Sequence, residues 1–174
     1  HSHQDRLQVL VYAGRDLLID PGIYSYDQPL SSSYFRKGIA HNILTIDGQE
    51  QIQSNPEVLS WQVTDQFDLA AGRIERDGLS HQRTVVFVKP DFWLVVDHVG
   101  GEGAHDLARQ FHLPKGEVQT SGRGFQTTFP DHNVWVASES GELEMTEGWI
   151  PESGSTAGKA PVAVFRDQAT LPAA

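Results

Sequence analysis

Residues 84–96 read TVVFV-KPD-FWLVV, two five-residue runs of strand-favouring side chains separated by Lys89, Pro90 and Asp91. β-Branched and aromatic residues are enriched in strands, and a proline followed by an aspartate is typical of the turn between them. We therefore predict two buried strands, at 84–88 and 92–96, joined by a tight turn.

Similar short runs recur along the rest of the chain. Glycine, proline, asparagine and aspartate interrupt them roughly every eight to twelve residues, the spacing of an all-β protein. A hairpin turn is predicted at Asp47-Gly48, and the best helical segment, residues 104–109, also carries strand alternation. We predict an all-β fold, an antiparallel β-sandwich of two packed sheets with few or no helices. Its further strands lie at 7–11, 17–19, 43–46, 59–63, 67–74, 108–113, 124–129, 134–137, 143–146 and 162–165.

Length and charge limit the number of domains and the classes of partner. The 174 residues, 39% of them hydrophobic, suffice for one domain over 1–174, with exposed loops predicted at 28–33 and 152–159. Thirteen basic and 23 acidic side chains give a net charge of −10, which argues against nucleic acid and anionic membranes as bulk partners. The chain has no cysteine, which excludes disulfides and thiolate chemistry, and no apolar run approaches the roughly 18 residues of a membrane span. It begins at His1 without a methionine, so we expect a fragment or a processed product.

Histidine and aspartate side chains suggest a metal site in the first fifty residues. His1 and His3 are two residues apart, which places them on one face of a strand, and Asp20 ends a strand at Asp-Pro-Gly. His41 opens the strand that leads to Asp47-Gly48. Antiparallel neighbours would bring His3, Asp20 and His41 together as the two-histidine, one-carboxylate set that suits zinc or non-haem iron. The alternative is that His41 caps a turn, Asp20 belongs to a β-turn and His3 lies at the surface.

A series of motifs in residues 1–51 resembles the heparinase II/III-like family of polysaccharide lyases. The five blocks occur in the family's order: HSHQD at 1–5, VYAGRDLLIDPGIYSY at 11–26, YFR at 34–36, AHN at 40–42 and DGQ at 47–49. Weaker similarities follow: HQR at 81–83, VVD at 95–97, FHLP at 111–114, GW at 148–149 and GKAP at 158–161. The resemblance implies that the whole chain lies in the C-terminal β-sandwich region of such a lyase, whose N-terminal α/α-barrel is missing here.

The resemblance also implies a role for each matching residue. His1 is similar to the catalytic histidine that the β domain supplies, and His3, Asp20 and His41 are similar to zinc ligands that organise the site. The partner would be an acidic, uronate-containing polysaccharide or oligosaccharide, cleaved by β-elimination in a cleft shared with the barrel. The family is largely bacterial and often exported, which implies a periplasmic or secreted protein and leaves a cytoplasmic location open.

Three further residues are candidates for substrate binding. Tyr26 and Tyr34 could face a sugar, although strand tyrosines often serve as packing residues. Arg36 could bind a uronate carboxylate through two hydrogen bonds, or it could be solvated or ion-paired. Four tryptophans, at 61, 93, 135 and 149, lie in strand-like runs and are assigned to the core.

Two other functional classes stay open. One is a catalytically silent module that binds carbohydrate or supports a barrel domain. The other is a cupin-like metal enzyme built on the His-x-His motif, although the later glutamate and glycine-rich strand of a cupin are not where that fold needs them.

Overall fold

A computed structural model describes residues 3–25, 28–51, 55–152 and 156–173, which form twelve strands and two short helical turns. The helical turns are a π-helical turn at Ser31–Phe35 and a 3-10 turn at Gly38–Ala40. The strands are β1 (Val11–Tyr12), β2 (Asp16–Leu18), β3 (Leu44–Ile46), β4 (Glu57–Val63), β5 (Phe67–Arg76), β6 (Leu79–Val88), β7 (Phe92–His112), β8 (Val118–Ser121), β9 (Gly124–Thr127), β10 (Trp135–Ala137), β11 (Glu142–Pro151) and β12 (Ala157–Ala173).

The longest strand, β7, organises the largest sheet. Its first half pairs with β6, and its second half lies between β12 on one side and β3 on the other. The resulting seven-stranded sheet has the order β11-β12-β7-β6-β5-β4, with β3 joining at β7. A three-stranded sheet, β10-β9-β8, and a two-stranded sheet, β1-β2, complete the fold, and every pairing is antiparallel.

The main hydrophobic core lies where the three sheets meet. Phe111 and Phe165 come from the large sheet, Phe125 from the three-stranded sheet, and Leu17 and Leu18 from the two-stranded sheet. All five are buried. The three phenylalanine rings pack with centroids 5.9 to 6.2 Å apart, which is the usual spacing of aromatic pairs. Burial of side chains from facing sheets is the arrangement of a β-sandwich, so the predicted fold class is confirmed.

The hairpin predicted at 84–96 forms, but its burial was predicted wrongly. β6 and β7 pair antiparallel on either side of the Lys-Pro-Asp turn, beginning with Val88 opposite Phe92. Phe92, Trp93 and Leu94 are nevertheless 53%, 42% and 51% exposed, because β4, β5, β6 and the start of β7 extend beyond the core. Trp61 and Trp135 are also exposed, so the assignment of the tryptophans to the core is wrong for at least three of the four.

Two local predictions also need correction. Asp47 and Gly48 adopt φ values of 53° and 62°, as a tight turn requires, yet the strand before them pairs with β7 rather than with the next strand. The two-residue hairpin of this type lies instead at Asp77-Gly78, between β5 and β6. Part of the predicted loop at 28–33 is helical, and the segment 104–109 is strand.

Among the described residues, neither helical turn nor any other segment forms a helix long and apolar enough to cross a membrane.

Candidate active site and metal centre

Asn42 joins the segments that carry the candidate ligands. Its side chain is fully buried, and its amide nitrogen donates to the carbonyl oxygens of Val9 at 2.9 Å and Ile19 at 3.0 Å. Its amide oxygen accepts the backbone N–H of His112 at 2.6 Å. One side chain therefore connects three parts of the molecule: the segment that follows His3, the residue before Asp20, and strand β7 of the large sheet.

His41 and Asp20 are in direct contact. The Nδ1 atom of His41 lies 3.1 Å from Oδ2 of Asp20, which also accepts a hydrogen bond from Gln8 at 2.9 Å. The other oxygen of Asp20 accepts the backbone N–H of Gly22 at 2.6 Å, as expected of an Asp-Pro-Gly turn. His3 completes the group, since its ring centroid is 5.4 Å from that of His41. His41 thus contacts Asp20 directly and has His3 as a neighbour, so the three residues that the sequence suggested as ligands lie in one region.

The electrostatics of these side chains favour the protonation states of metal ligands. Burial opposes ionisation of Asp20, but hydrogen bonds from His41, Gln8 and Gly22 outweigh it and hold the pKa well below its usual range. Burial, reinforced by the neighbouring His41, lowers the pKa of His3. At neutral pH the site therefore presents a carboxylate and a neutral imidazole, the forms that bind metal.

One atom of the site lacks a partner. His41 is fully buried, and its Nε2 has no hydrogen-bond partner among the residues that the structure describes. A buried polar atom without a partner costs roughly 1–3 kcal/mol, so it calls for an explanation. As placed, however, no three histidine, aspartate or glutamate side chains among the described residues converge into a metal-binding group.

His112 and Tyr34 form a second polar cluster behind Asn42. The Nε2 atom of His112 donates to the carbonyl of Ile39 at 3.0 Å and lies 3.5 Å from the Tyr34 hydroxyl. Burial lowers the pKa of His112 to about 4, so the ring is neutral at physiological pH. Burial also raises the pKa of Tyr34, whose hydroxyl contacts the backbone of Trp149. Sequence reasoning missed the role of His112, although a histidine between Phe111 and Leu113 is a polar interruption of an apolar strand.

The substrate-binding candidates differ in their surroundings. Tyr34 is half-buried and takes part in the cluster around His112, so its hydroxyl is already engaged. Arg36 is half-buried, and its carbonyl oxygen accepts the backbone N–H of Gln4, the residue after His3, at 3.1 Å. His1 and Tyr26 lie outside the described residues.

Known proteins resemble this chain over most of its length. The model of the family described as heparinase II/III-like, C-terminal, matches residues 1–166. A heparin-sulfate lyase from Pedobacter heparinus is 24% identical over 168 residues, which cover 90% of this chain and 26% of that protein. A heparin-sulfate lyase from Bacteroides stercoris is 25% identical over 117 residues, covering 64% of this chain and 18% of that protein. The chain thus spans about a quarter or less of the length of these relatives.

A solved structure supports the fold. The crystal structure of a mutant heparan sulfate lyase from Pedobacter heparinus superposes with a TM-score of 0.89 at 22% identity, covering 99% of this chain and 29% of that protein. Because the family model matches nearly the whole sequence, we conclude that the chain belongs to the heparinase II/III-like, C-terminal family.

Proposed function

We propose that this chain is the β domain of a polysaccharide lyase that cleaves an acidic, uronate-containing glycan by β-elimination. The observation that carries the proposal is that His41 contacts Asp20 directly and neighbours His3, in a chain of this family. Both relatives named above are heparin-sulfate lyases, which supports an acidic polysaccharide as the substrate class. The barrel domain of such a lyase would supply the other wall of the cleft.

We propose that the same three side chains would hold a zinc ion that organises the site. Two ligands about 2.0 Å from one tetrahedral zinc lie roughly 3.3 Å apart. The 3.1 Å between His41 Nδ1 and Asp20 Oδ2 is close to this separation. The unpartnered Nε2 of His41 offers an alternative ligand atom, with Asp20 then orienting the ring. In either arrangement a bound zinc would supply a fixed positive charge, while His3 and His41 would hold the segments around it in place.

The proposed reaction needs a base, a proton donor and a positive charge. The base removes the proton alpha to the uronate carboxylate, the bond to the 4-linked oxygen breaks, and the departing oxygen takes up a proton. A double bond is left in the sugar ring. We assign a share of the acid–base work to His1, since an imidazole exchanges protons near neutral pH. Arg36 would neutralise the substrate carboxylate, which makes the alpha proton more acidic.

The test uses the lyase that contains this chain together with its barrel domain. Incubated with heparan sulfate or alginate, the intact enzyme is expected to produce unsaturated uronate, measured by ultraviolet absorbance. His1→Ala should abolish the signal, whereas His98→Ala, a change at an exposed histidine, should leave it intact. The chain by itself should be inactive, because base and acid must both reach the same sugar.

Two results would contradict the proposal. Full activity of the His1→Ala enzyme would show that His1 is not an acid–base group of the reaction. Saturable binding of either glycan without any unsaturated product from the intact protein would favour a carbohydrate-binding module instead.

A further inference from the structure

Arg83 is a buried arginine whose guanidinium group is held in place by Asp97. Both side chains are 3% exposed and lie opposite each other on β6 and β7. Nε of Arg83 donates to Oδ1 of Asp97 at 2.7 Å and Nη2 donates to Oδ2 at 2.9 Å, a two-point contact that fixes the plane of the group. Although burial opposes its ionisation, the positive charge of Arg83 keeps the pKa of Asp97 well below its usual range.

The third nitrogen of the same group leaves the sheet and binds two loop carbonyls. Nη1 of Arg83 donates to the carbonyl oxygens of Leu7 and Asn42, each at 2.9 Å. Asn42 follows His41 directly, and Leu7 lies four residues after His3 with a left-handed φ of 62°. One guanidinium group thus contacts both segments that carry the candidate histidine ligands.

A third contact strengthens this junction. The backbone N–H of Val9 donates to the same Asn42 carbonyl at 3.3 Å, so the two segments also bond to each other. A lysine at position 83 could pair with Asp97, but its single ammonium lacks the planar fork that spans the carboxylate and both carbonyls. The junction therefore depends on the shape of arginine as well as on its charge.

We propose that Arg83 is a positioning residue for the candidate metal centre, holding the main chain at Leu7 and Asn42 so that His3 and His41 stay at ligand spacing. This inference rests on the metal site of the proposed function. It gives Arg83, the last residue of the HQR block, a role in that site beyond pairing the strands of the sheet.

His81 offers a matched control in the same strand. It is as buried as Arg83, and its Nε2 donates to Oδ1 of the same Asp97 at 2.7 Å. Its Nδ1 has no hydrogen-bond partner, so the ring makes no such bond to Leu7 or Asn42. His81→Phe therefore disturbs the buried ion pair without touching the loop carbonyls.

The experiment compares Arg83→Lys and His81→Phe by zinc affinity and by amide hydrogen exchange, after circular dichroism confirms the fold. We expect Arg83→Lys to weaken zinc binding roughly tenfold or more, which is the usual cost of removing an outer support of a metal site. The Val9 amide should exchange faster in this variant. His81→Phe should leave both quantities near the wild-type values even where it lowers the melting temperature. Asp97→Glu, which keeps both charges but moves the carboxylate by one methylene group, should shift both in the direction of Arg83→Lys.

The outcomes separate this inference from the proposed function. Absence of zinc binding in the wild-type chain would refute the metal site, while the exchange rate of Val9 would still decide the positioning role. Wild-type zinc affinity in a folded Arg83→Lys chain would overturn the inference. Equal changes in Arg83→Lys and His81→Phe would also overturn it, because they would mark a general loss of stability.

Discussion

Replacement of Asn42 by alanine tests whether this side chain holds the site together. The substitution removes three hydrogen bonds, at 2.6, 2.9 and 3.0 Å, from a residue that is fully buried. Each partner left buried without a bond costs roughly 1–3 kcal/mol, so the loss of three bonds in Asn42→Ala should lower the free energy of unfolding by at least about 3 kcal/mol. That loss is a large part of the 5–15 kcal/mol typical of a folded domain.

Asn133 provides the control because it makes a similar set of bonds at the surface. Its side chain accepts from the backbone N–H of Phe129 at 2.6 Å and from the Thr127 hydroxyl at 3.0 Å, and it donates to the Phe129 carbonyl at 2.8 Å. Asn133 is exposed, so water can replace its two bonds to Phe129, and only the buried Thr127 hydroxyl loses its acceptor. Asn133→Ala should therefore cost about 1–2 kcal/mol, less than Asn42→Ala.

Urea unfolding at neutral pH, followed by tryptophan fluorescence and circular dichroism, measures both variants. The midpoint should fall strongly for Asn42→Ala and slightly for Asn133→Ala, with unchanged slopes. Equal losses in the two variants would show that burial of the hydrogen bonds is not what makes Asn42 important.

Three further predictions concern pH and association. The pKa of His112 falls from 6.5 to about 4 on folding, so its contribution to stability is present above pH 6.5 and is lost as the pH falls. Measured by urea unfolding, the loss of stability between pH 7.5 and 5 should therefore be about 2 kcal/mol smaller in His112→Gln than in the wild type. The exposed pair of His105 and Asp47, 2.7 Å apart, raises the pKa of His105 above 6.5 and lowers that of Asp47 below 3.8. The pair should therefore stabilise the fold most between pH 3.8 and pH 6.5. Its stabilisation is lost at higher pH as His105 deprotonates and at lower pH as Asp47 protonates. Hydrogen exchange of the Asp106 amide, which donates to Asp47, should be slowest in the same pH window once corrected for the intrinsic pH dependence of exchange. Trp61, 75% exposed in an apolar region, should promote concentration-dependent association, and Trp61→Lys should reduce it in sedimentation velocity.

Local side-chain chemistry predicted the strands but not their partners. Alternation and turn residues located β3, β5, β6 and β11, because strand preference is expressed over a few residues. The pairing of β3 with β7, sixty residues later, has no local signal, and the Asp47-Gly48 turn pointed to a hairpin that does not form. Burial was predicted wrongly at Trp93, because the sequence pattern of an apolar strand is the same whether or not another sheet covers it.

The candidate site was partly predictable from residue type. Histidine and aspartate at strand ends, together with the family motifs, suggested His3, Asp20 and His41 as candidate ligands, and the structure places them in one region. The supporting residues were harder to find, because Asn42 and Arg83 act through backbone carbonyls that no sequence pattern marks. The role of His112 was not predictable either, because it depends on the contact between the second half of β7 and the 3-10 turn that contains Ile39.

Zinc content is the most direct test of the central claim that His3, Asp20 and His41 form a metal centre. After treatment with chelator and dialysis against zinc, the chain should retain one zinc ion, and its melting temperature should rise because the metal binds only the folded state. His3→Ala, Asp20→Ala and His41→Ala should each lose the ion, whereas His98→Ala, at an exposed position, should keep it. A chain that retains no zinc, or three variants that retain it as the wild type does, would contradict the account.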